Sequence, residues 1–598
     1  MGRSCDVRGP QSYRTGHGHL SVPGSAAARR RRILTRAVPL VVVALAAFVV
    51  GTVVAADAEA PAAQRFLDAW GRGDYAAMHA ELTAGARSEY SLERFRRVYE
   101  DSEGTATVAA VAAGDVGEQG GAAVAPVRIR THIFGTLEGQ LSLPISDGQI
   151  AWTPNLVYPG LASDERLSRR TRAPKRASIL AADRSPLARG PAAARSVDGD
   201  ASAIVGEIGT PTDAQARELA SGGFPPGSLT GTSGLELAFD DRIAGKPGGQ
   251  LLAVSADEES EVGGGRVLAR TEPVPGEAVR TTIDPALQRS AVAALGGLYG
   301  GVAVLDARKG NVLALAGLAY SAPQPPGSTF KVITATGALD AGIVKTSDEF
   351  PVETSNGEIG REIANAYDEP CGGSFTNAFV HSCNTVFAPL GAELGGQQLV
   401  ETAELFGFNE TPSLFDDRAT AALEPPASTI PKTLDTDIEA GESAIGQGEV
   451  LATPLELASV AQTIANKGVR MPTPLARNEE LAPDAEPVEV TSPKTAATVR
   501  EMMIGVVNEG TGVAAAVPGV QVAGKTGTAE LGSTVAQPGQ LAPGEDPEHE
   551  VDAWFTAFAP ASDPKLAVAV MIVEASGDGG TVAAPIAGQV LSTGLGVG

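Results

Sequence analysis

Residues 325–331 read Pro325-Pro326-Gly327-Ser328-Thr329-Phe330-Lys331, a loop that opens a helix with a hydroxyl and an amine three residues apart. The two prolines set an extended approach, and Gly327 lets a substrate come close to the backbone. Downstream, Phe330, Ile333 and Leu339 stand among alanines and glycines, which predicts a packed helix from Ser328 to about Gly342. Positions i and i+3 share a helical face, so Ser328 Oγ and Lys331 Nζ can meet. A serine attacks once a neighbour takes its proton, and a lysine desolvated at a helix start can take it. Alone, S-x-x-K fits an ordinary capped helix equally well.

Two companions follow in order: Ser382-Cys383-Asn384, then Lys525-Thr526-Gly527-Thr528. Each is weak alone, since Ser382–Asn384 could be a plain loop and Lys525 a solvated strand lysine. The ordered trio S-x-x-K, S-D-N and K-T-G, the second here with Cys383 at its middle, is the set given for class A β-lactamases and penicillin-binding proteins. From about Arg176 to the C-terminus the chain resembles the class B penicillin-binding proteins, serine D,D-transpeptidases of the bacterial cell wall. Gly234-Leu235-Glu236, Thr282-Ile283-Asp284, Gly446-Gln447-Gly448, Ala553-Trp554-Phe555 and Ala583-Ala584-Pro585-Ile586-Ala587 carry the same resemblance.

The resemblance implies attack by Ser328 on the amide between two D-alanines, an acyl-serine, and transfer to an amine of a neighbouring stem peptide. Lys331 would be the base, which requires its pKa to fall through burial and a nearby cation; Lys525 could be that cation. Ser382 would relay a proton to the departing amine, and Asn384 would hydrogen-bond the substrate backbone. Thr526, Gly527 and Thr528 would form the strand edge on which a peptide lies, the two hydroxyls meeting the terminal carboxylate. The N–H groups of Ser328 and Thr528 would form the oxyanion hole. The same likeness implies acylation by β-lactams, no metal, no cofactor, and a membrane glycan polymerase as partner. A D,D-carboxypeptidase uses the same residues with water as acceptor. A serine β-lactamase, a non-catalytic β-lactam sensor and a divisome scaffold are further alternatives.

A length of 598 residues predicts several domains. Net charge is −25, yet residues 1–36 hold eight arginines against one aspartate. The acidic remainder disfavours nucleic acid and suits a solvated extracytoplasmic portion. After this basic tail, residues 37–56 are twenty residues without charge, enough to span a bilayer. The basic side stays cytoplasmic, which predicts a single-pass cell-membrane protein with its catalytic domain outside. A cleaved signal peptide is the alternative, although its apolar core would be long.

Residues 57–160 are expected to form a small α+β domain, with two short helices broken at Gly71-Arg72-Gly73-Asp74. Strands follow at 127–133, 137–143 and 150–157, with a hairpin turn at Ser146-Asp147-Gly148. Helices first and a curved sheet after resemble the NTF2-like domain of the methicillin-resistance type of penicillin-binding protein. Residues 161–283 resemble a mixed pedestal or dimerisation domain, in which Lys246-Pro247-Gly248-Gly249 reads as a hairpin turn. Residues 284–598 are the expected α/β transpeptidase domain, an antiparallel sheet flanked by helices. Within it, Thr453-Pro454-Leu455-Glu456 reads as a capping box. Late strands are predicted at 520–524, 553–559 and 566–573.

Two cysteines, Cys371 and Cys383, follow the apolar run. An oxidising compartment permits a bridge that would tether the Ser382 loop; two unpaired buried thiols are the other possibility. His381 reads as structural rather than catalytic.

Overall fold

The structure, a computed structural model, describes residues 61–256, 265–530 and 551–597. The basic tail and the expected span at 37–56 lie outside the described residues. Among the described residues no helix is long and apolar enough to cross a membrane. The described chain divides into two units.

The first unit comprises residues 61–106, 110–170 and 249–272. Helix α1 (Pro61–Gly71) stops at the predicted break, and Asp74 caps the next helix, Tyr75–Ala80, by accepting from the Ala77 N–H. Helix α2 (Leu92–Ala106) was not legible, because its stretch is strongly charged and buries only Phe95, Tyr99 and Ala106. Those rings join Phe66, Trp70 and Trp152 in an aromatic core, with Phe95 and Trp152 centroids 4.7 Å apart. Buried indoles need a partner: Trp70 donates to Glu103 at 2.9 Å and Trp152 to Tyr99 at 3.3 Å.

Strands β1 (Ala122–Thr131) and β2 (Thr136–Ser146) pair antiparallel, with Ala123, Ala125, Val127 and Ile129 buried in alternation. The strand predicted at 150–157 shrinks to Gln149–Ile150, because Pro154 has no N–H for a ladder and opens a 3₁₀ turn over Pro154–Val157. Gly248-Gly249 likewise starts a strand, Gly248–Ser255, rather than a turn. That strand lies between Glu165–Arg172 and Arg266–Thr271.

The second unit holds residues 107–109, 171–248 and 273–597. Its first part is knotted around buried charge. Glu236 is fully buried and accepts from Arg176 at 2.6 Å and Arg195 at 2.7 Å, while Asp240 takes a second Arg176 bond at 2.7 Å. Arg176 gives two N–H bonds to one Glu236 oxygen while Arg195 bonds the other, and such charge-assisted bonds offset the cost of burying these charges.

The larger part is an antiparallel five-stranded sheet. Its strands are β3 (Gly300–Asp306), β4 (Val312–Gly317), β5 (Ala523–Glu530), β6 (Val551–Ala559) and β7 (Leu566–Ala575), in the order β4-β3-β7-β6-β5. β7 is buried at nine of ten positions, as a central strand covered on both faces must be. Helices α3 (Pro285–Leu295) and α8 (Ala584–Leu595) cover one face. Helices α4 (Lys331–Ala341), α6 (Pro454–Ala465) and α7 (Pro493–Asn508) belong to the other, α6 packing on the central strands. β5 ends the sheet, so among the described residues no strand pairs with its outer edge.

Candidate active site

Ser328 sits in a 3₁₀ turn, Gly327–Phe330, that runs into α4, which Gly342 closes in the left-handed conformation at φ +72°. The turn is held by backbone approaches that exclude a Cβ. Gly327 (φ +51°) leaves room for Thr528 O, which a Cβ would meet at 2.5 Å; Gly446 (φ +72°) lies against Gly327 O, and Gly527 against Pro326 O. Gly327 N also donates to Gly446 O at 3.0 Å. The Gly446-Gln447-Gly448 segment is thereby a backbone clamp on the nucleophile turn. Ser328 is half-buried, and among the described residues its Oγ makes no hydrogen bond.

The anticipated Ser328–Lys331 hydrogen bond is therefore not formed. Lys331 is fully buried, and its amine donates to Ser382 O at 2.7 Å, Ser382 Oγ at 3.3 Å and Asn384 Oδ1 at 2.5 Å. Ser382 presents both oxygens because its backbone is left-handed, at φ +61°, between the helix Phe375–Val380 and α5 (Asn384–Leu394). A non-glycine residue holds that conformation only where its surroundings impose it. The Cys371–Cys383 disulfide is formed, so Ser382 is tethered at its immediate neighbour, with Cys383 fully buried. His381 is exposed, at the C-cap of the preceding helix.

Lys525, from β5, is also fully buried, and it donates to Ser382 Oγ at 2.8 Å and Thr526 O at 3.0 Å. Neither lysine has a carboxylate partner among the described residues. Aromatic faces lie nearby instead, Phe387 at 5.5 Å from Lys331 Nζ and Phe379 at 5.8 Å from Lys525 Nζ. Burial pushes the Lys331 amine well below the ordinary lysine range, and the Lys525 charge pushes it further. Burial alone brings Lys525 down to about 7. One hydroxyl, Ser382 Oγ, thus lies between two amines, the geometry a proton relay needs.

Residues alternate faces along a strand, and this separates the K-T-G residues. Lys525 and Gly527 stand opposite Thr556 and Trp554, on the face that carries α4; Thr526 and Thr528 stand opposite Phe555 and Ala553, on the other. The two threonines are therefore not part of the lysine network. Thr526 is nearly buried, with its hydroxyl 2.6 Å from that of Thr511, while Thr528 Oγ1 accepts from Gly579 N at 3.4 Å.

Sequence reading missed Thr511, and also Asn365, which accepts from Thr385 N at 3.1 Å and so fixes the first turn of α5. No local pattern marks either residue. It also misplaced Glu456. Thr453 does accept from Glu456 N at 3.2 Å, but the Glu456 carboxyl turns inward toward Arg470, and among the described residues its Oε1 has no partner. Burial pushes that carboxyl up to about 7.

A half-buried serine, two buried lysines with no carboxylate partner among the described residues, and a shared hydroxyl beside an open strand edge bring together the groups that serine acyl transfer requires. Residues 300–592 match the family described as penicillin binding protein transpeptidase domain, and residues 194–281 match the penicillin-binding protein dimerisation domain. The chain belongs to the class B penicillin-binding proteins. It is 38% identical over 301 residues to peptidoglycan D,D-transpeptidase PbpA of Mycobacterium tuberculosis, covering 46% of this chain and 56% of that one. Peptidoglycan D,D-transpeptidase MrdA of Acinetobacter baumannii is 28% identical over 423 residues, covering 62% of this chain and 61% of that one. The chain thus spans between half and two thirds of the length of these curated relatives. Among solved structures, the penicillin G acyl-enzyme complex of M. tuberculosis penicillin-binding protein A is 27% identical with a TM-score of 0.53, covering 71% of this chain and all of that one. The D,D-transpeptidase domain of an Eggerthella lenta peptidoglycan glycosyltransferase is 28% identical with a TM-score of 0.55, covering 71% and 99%.

Proposed function

We propose that this protein is a peptidoglycan D,D-transpeptidase that cross-links stem peptides through an acyl-serine and is acylated by penicillins. The observation that carries this reading is the Lys331–Ser382–Lys525 chain of hydrogen bonds at the foot of the Ser328 turn. Ser328 Oγ attacks the carbonyl of the penultimate D-alanine and gives its proton to a neutral Lys331. The N–H groups of Ser328 and Thr528 receive the oxyanion, where one such donor is worth about 10²–10³ in rate. Ser382 passes a proton to the departing D-alanine amine, breaking the peptide bond and leaving the acyl-serine. The amine of a second stem peptide then attacks the ester and releases Ser328. Thr526 and Thr528 reach the substrate from the other face of β5.

Residues 37–56 anchor the protein in the cell membrane with both units outside, beside a glycan polymerase that supplies uncross-linked strands. The N-terminal unit is an NTF2-like spacer of the methicillin-resistance type, supported by its order of helices before sheet.

Mass spectrometry after incubation with a labelled penicillin tests the central claim. One adduct is expected, on Ser328, and Ser328→Ala should abolish it without unfolding the protein. An adduct on another serine refutes the assignment. Release of D-alanine to water alone, with no cross-linked dimer, marks a carboxypeptidase.

A further inference from the structure

Two walls flank the Ser328 turn, the Ser382–Asn384 segment on one side and β5 on the other, and one side chain joins them. It belongs to a short strap, Ala366–Asp368, whose backbone is left-handed at Tyr367 (φ +58°) and at Asp368 (φ +53°). Consecutive non-glycine residues hold that conformation only when fixed from outside. Asn365 does the fixing. It is nearly buried, donates to Glu353 O at 2.8 Å and Glu369 O at 3.1 Å, and accepts from Thr385 N at 3.1 Å and Thr385 Oγ1 at 3.3 Å. Next to it, Asn384 Nδ2 donates to Ala364 O at 2.9 Å. The strap is thus fastened to the turn of α5 that also receives the Lys331 amine.

From this base Tyr367 reaches the opposite wall. The residue is 76% exposed, and its Oη donates to Asp578 Oδ2 at 3.2 Å. Asp578 is itself fixed, accepting from Thr581 N and Thr581 Oγ1 at 2.8 Å each. Its neighbour Gly579 packs so tightly on β5 and β6 that a Cβ would meet Trp554 O at 2.2 Å and Gly527 O at 2.3 Å. Both ends are rigid, then, and the phenol between them is exposed.

We propose that the Tyr367–Asp578 hydrogen bond is a latch across the substrate cleft, closed in the free protein and opened when a peptide or penicillin settles along β5. This rests on the proposed function of the cleft. A ligand settling against Thr528, whose Oγ1 accepts from the Gly579 N–H, lies one residue from Asp578, where the exposed phenol stands. Ligand and phenol compete for the space between the walls. Apparent affinity falls by the fraction of protein that is open.

Tyr367→Phe keeps the ring and the backbone and removes only the donor. One exposed hydrogen bond is a small net term, so the open fraction should rise about two- to fivefold. The full-length chain is acylated with a fluorescent penicillin over a range of concentrations. The half-saturating concentration should fall about two- to fivefold while the limiting acylation rate stays at the wild-type value, since the open complex is unchanged. A merely structural role would move the limiting rate instead. An unchanged or higher half-saturating concentration overturns the latch, and so does a changed limiting rate. Tyr367→Ala should lower it as well; a rise there assigns the ring to ligand binding and overturns the latch. Failure of the functional reading is distinct: wild-type protein would then carry no adduct on Ser328, and the latch would fall with it.

Discussion

Replacing Lys525 by methionine should move the pH at which acylation switches on upward. Lys525 and Lys331 both donate to Ser382 Oγ, at 2.8 and 3.3 Å, so their nitrogens lie no more than about 6 Å apart. Two unit charges at about that distance repel by about 3 kcal/mol in an effective dielectric of about 20, which is about two pKa units. A cation beside Lys331 opposes its protonation, so it lowers the pH at which Lys331 becomes a base. Without it the pKa climbs, and burial alone holds it down. Burial also brings Lys525 itself down to about 7. Above that pH the protein has largely lost the cation, so about two pH units is the upper bound of the shift. Limiting acylation rates with a fluorescent penicillin, taken from pH 5.5 to 9.5, give the comparison. The rise should move up by as much as about two pH units in Lys525→Met and stay near the wild-type position in Lys525→Arg. Lys331→Arg should be inert across the range, because guanidinium cannot give up its proton. An unmoved rise in Lys525→Met, or acylation by Lys331→Arg at the wild-type rate, refutes the division of labour between the two amines.

Two further predictions concern stability. Glu456 has a folded pKa raised to about 7 by burial, so its contribution is full below the unfolded carboxylate pKa and is lost as pH rises through about 7. Glu456→Gln should therefore raise the melting temperature at pH 8, by about 1 °C per kcal/mol regained in a unit of this size. At pH 5 the two proteins should melt together, and equal melting at both values would show that the buried acid carries no penalty. Glu236→Ala leaves the Arg176 and Arg195 charges buried without their shared acceptor. Urea denaturation should show a loss of about 3–5 kcal/mol, and a loss under about 1 kcal/mol would mean that water enters and solvates the guanidinium groups.

The chemistry was legible because each catalytic segment is contiguous and rich in constraint. Ser328 and Lys331 share one turn, Ser382 and Asn384 one loop-to-helix junction, and Lys525 and Thr526 one strand. What brings them together was not legible, since it depends on contacts far apart in sequence. Thr511 meets Thr526 across a turn, Asn365 meets Thr385 across a loop, and Tyr367 meets Asp578 over 211 residues. Local pattern also erred where tertiary packing outweighs propensity. Valines drew the predicted strand to 520–524, yet β5 is the low-propensity run Ala523–Glu530, which forms because β6 pairs with it at every position. The T-P-L-E pattern located the start of α6 correctly, but the fold decided where the long Glu456 side chain went. The sequence reading did expect Lys331 to be buried beside the Lys525 cation, but a sequence rich in Asp and Glu gives no sign that among the described residues neither amine meets a carboxylate in hydrogen-bond contact. That missing partner is the functional feature. An acid at the place of Ser382 Oγ would stabilise both ammonium ions, raise both pKa values and leave Ser328 with no base. A hydroxyl there ties the amines together while letting one of them stay neutral.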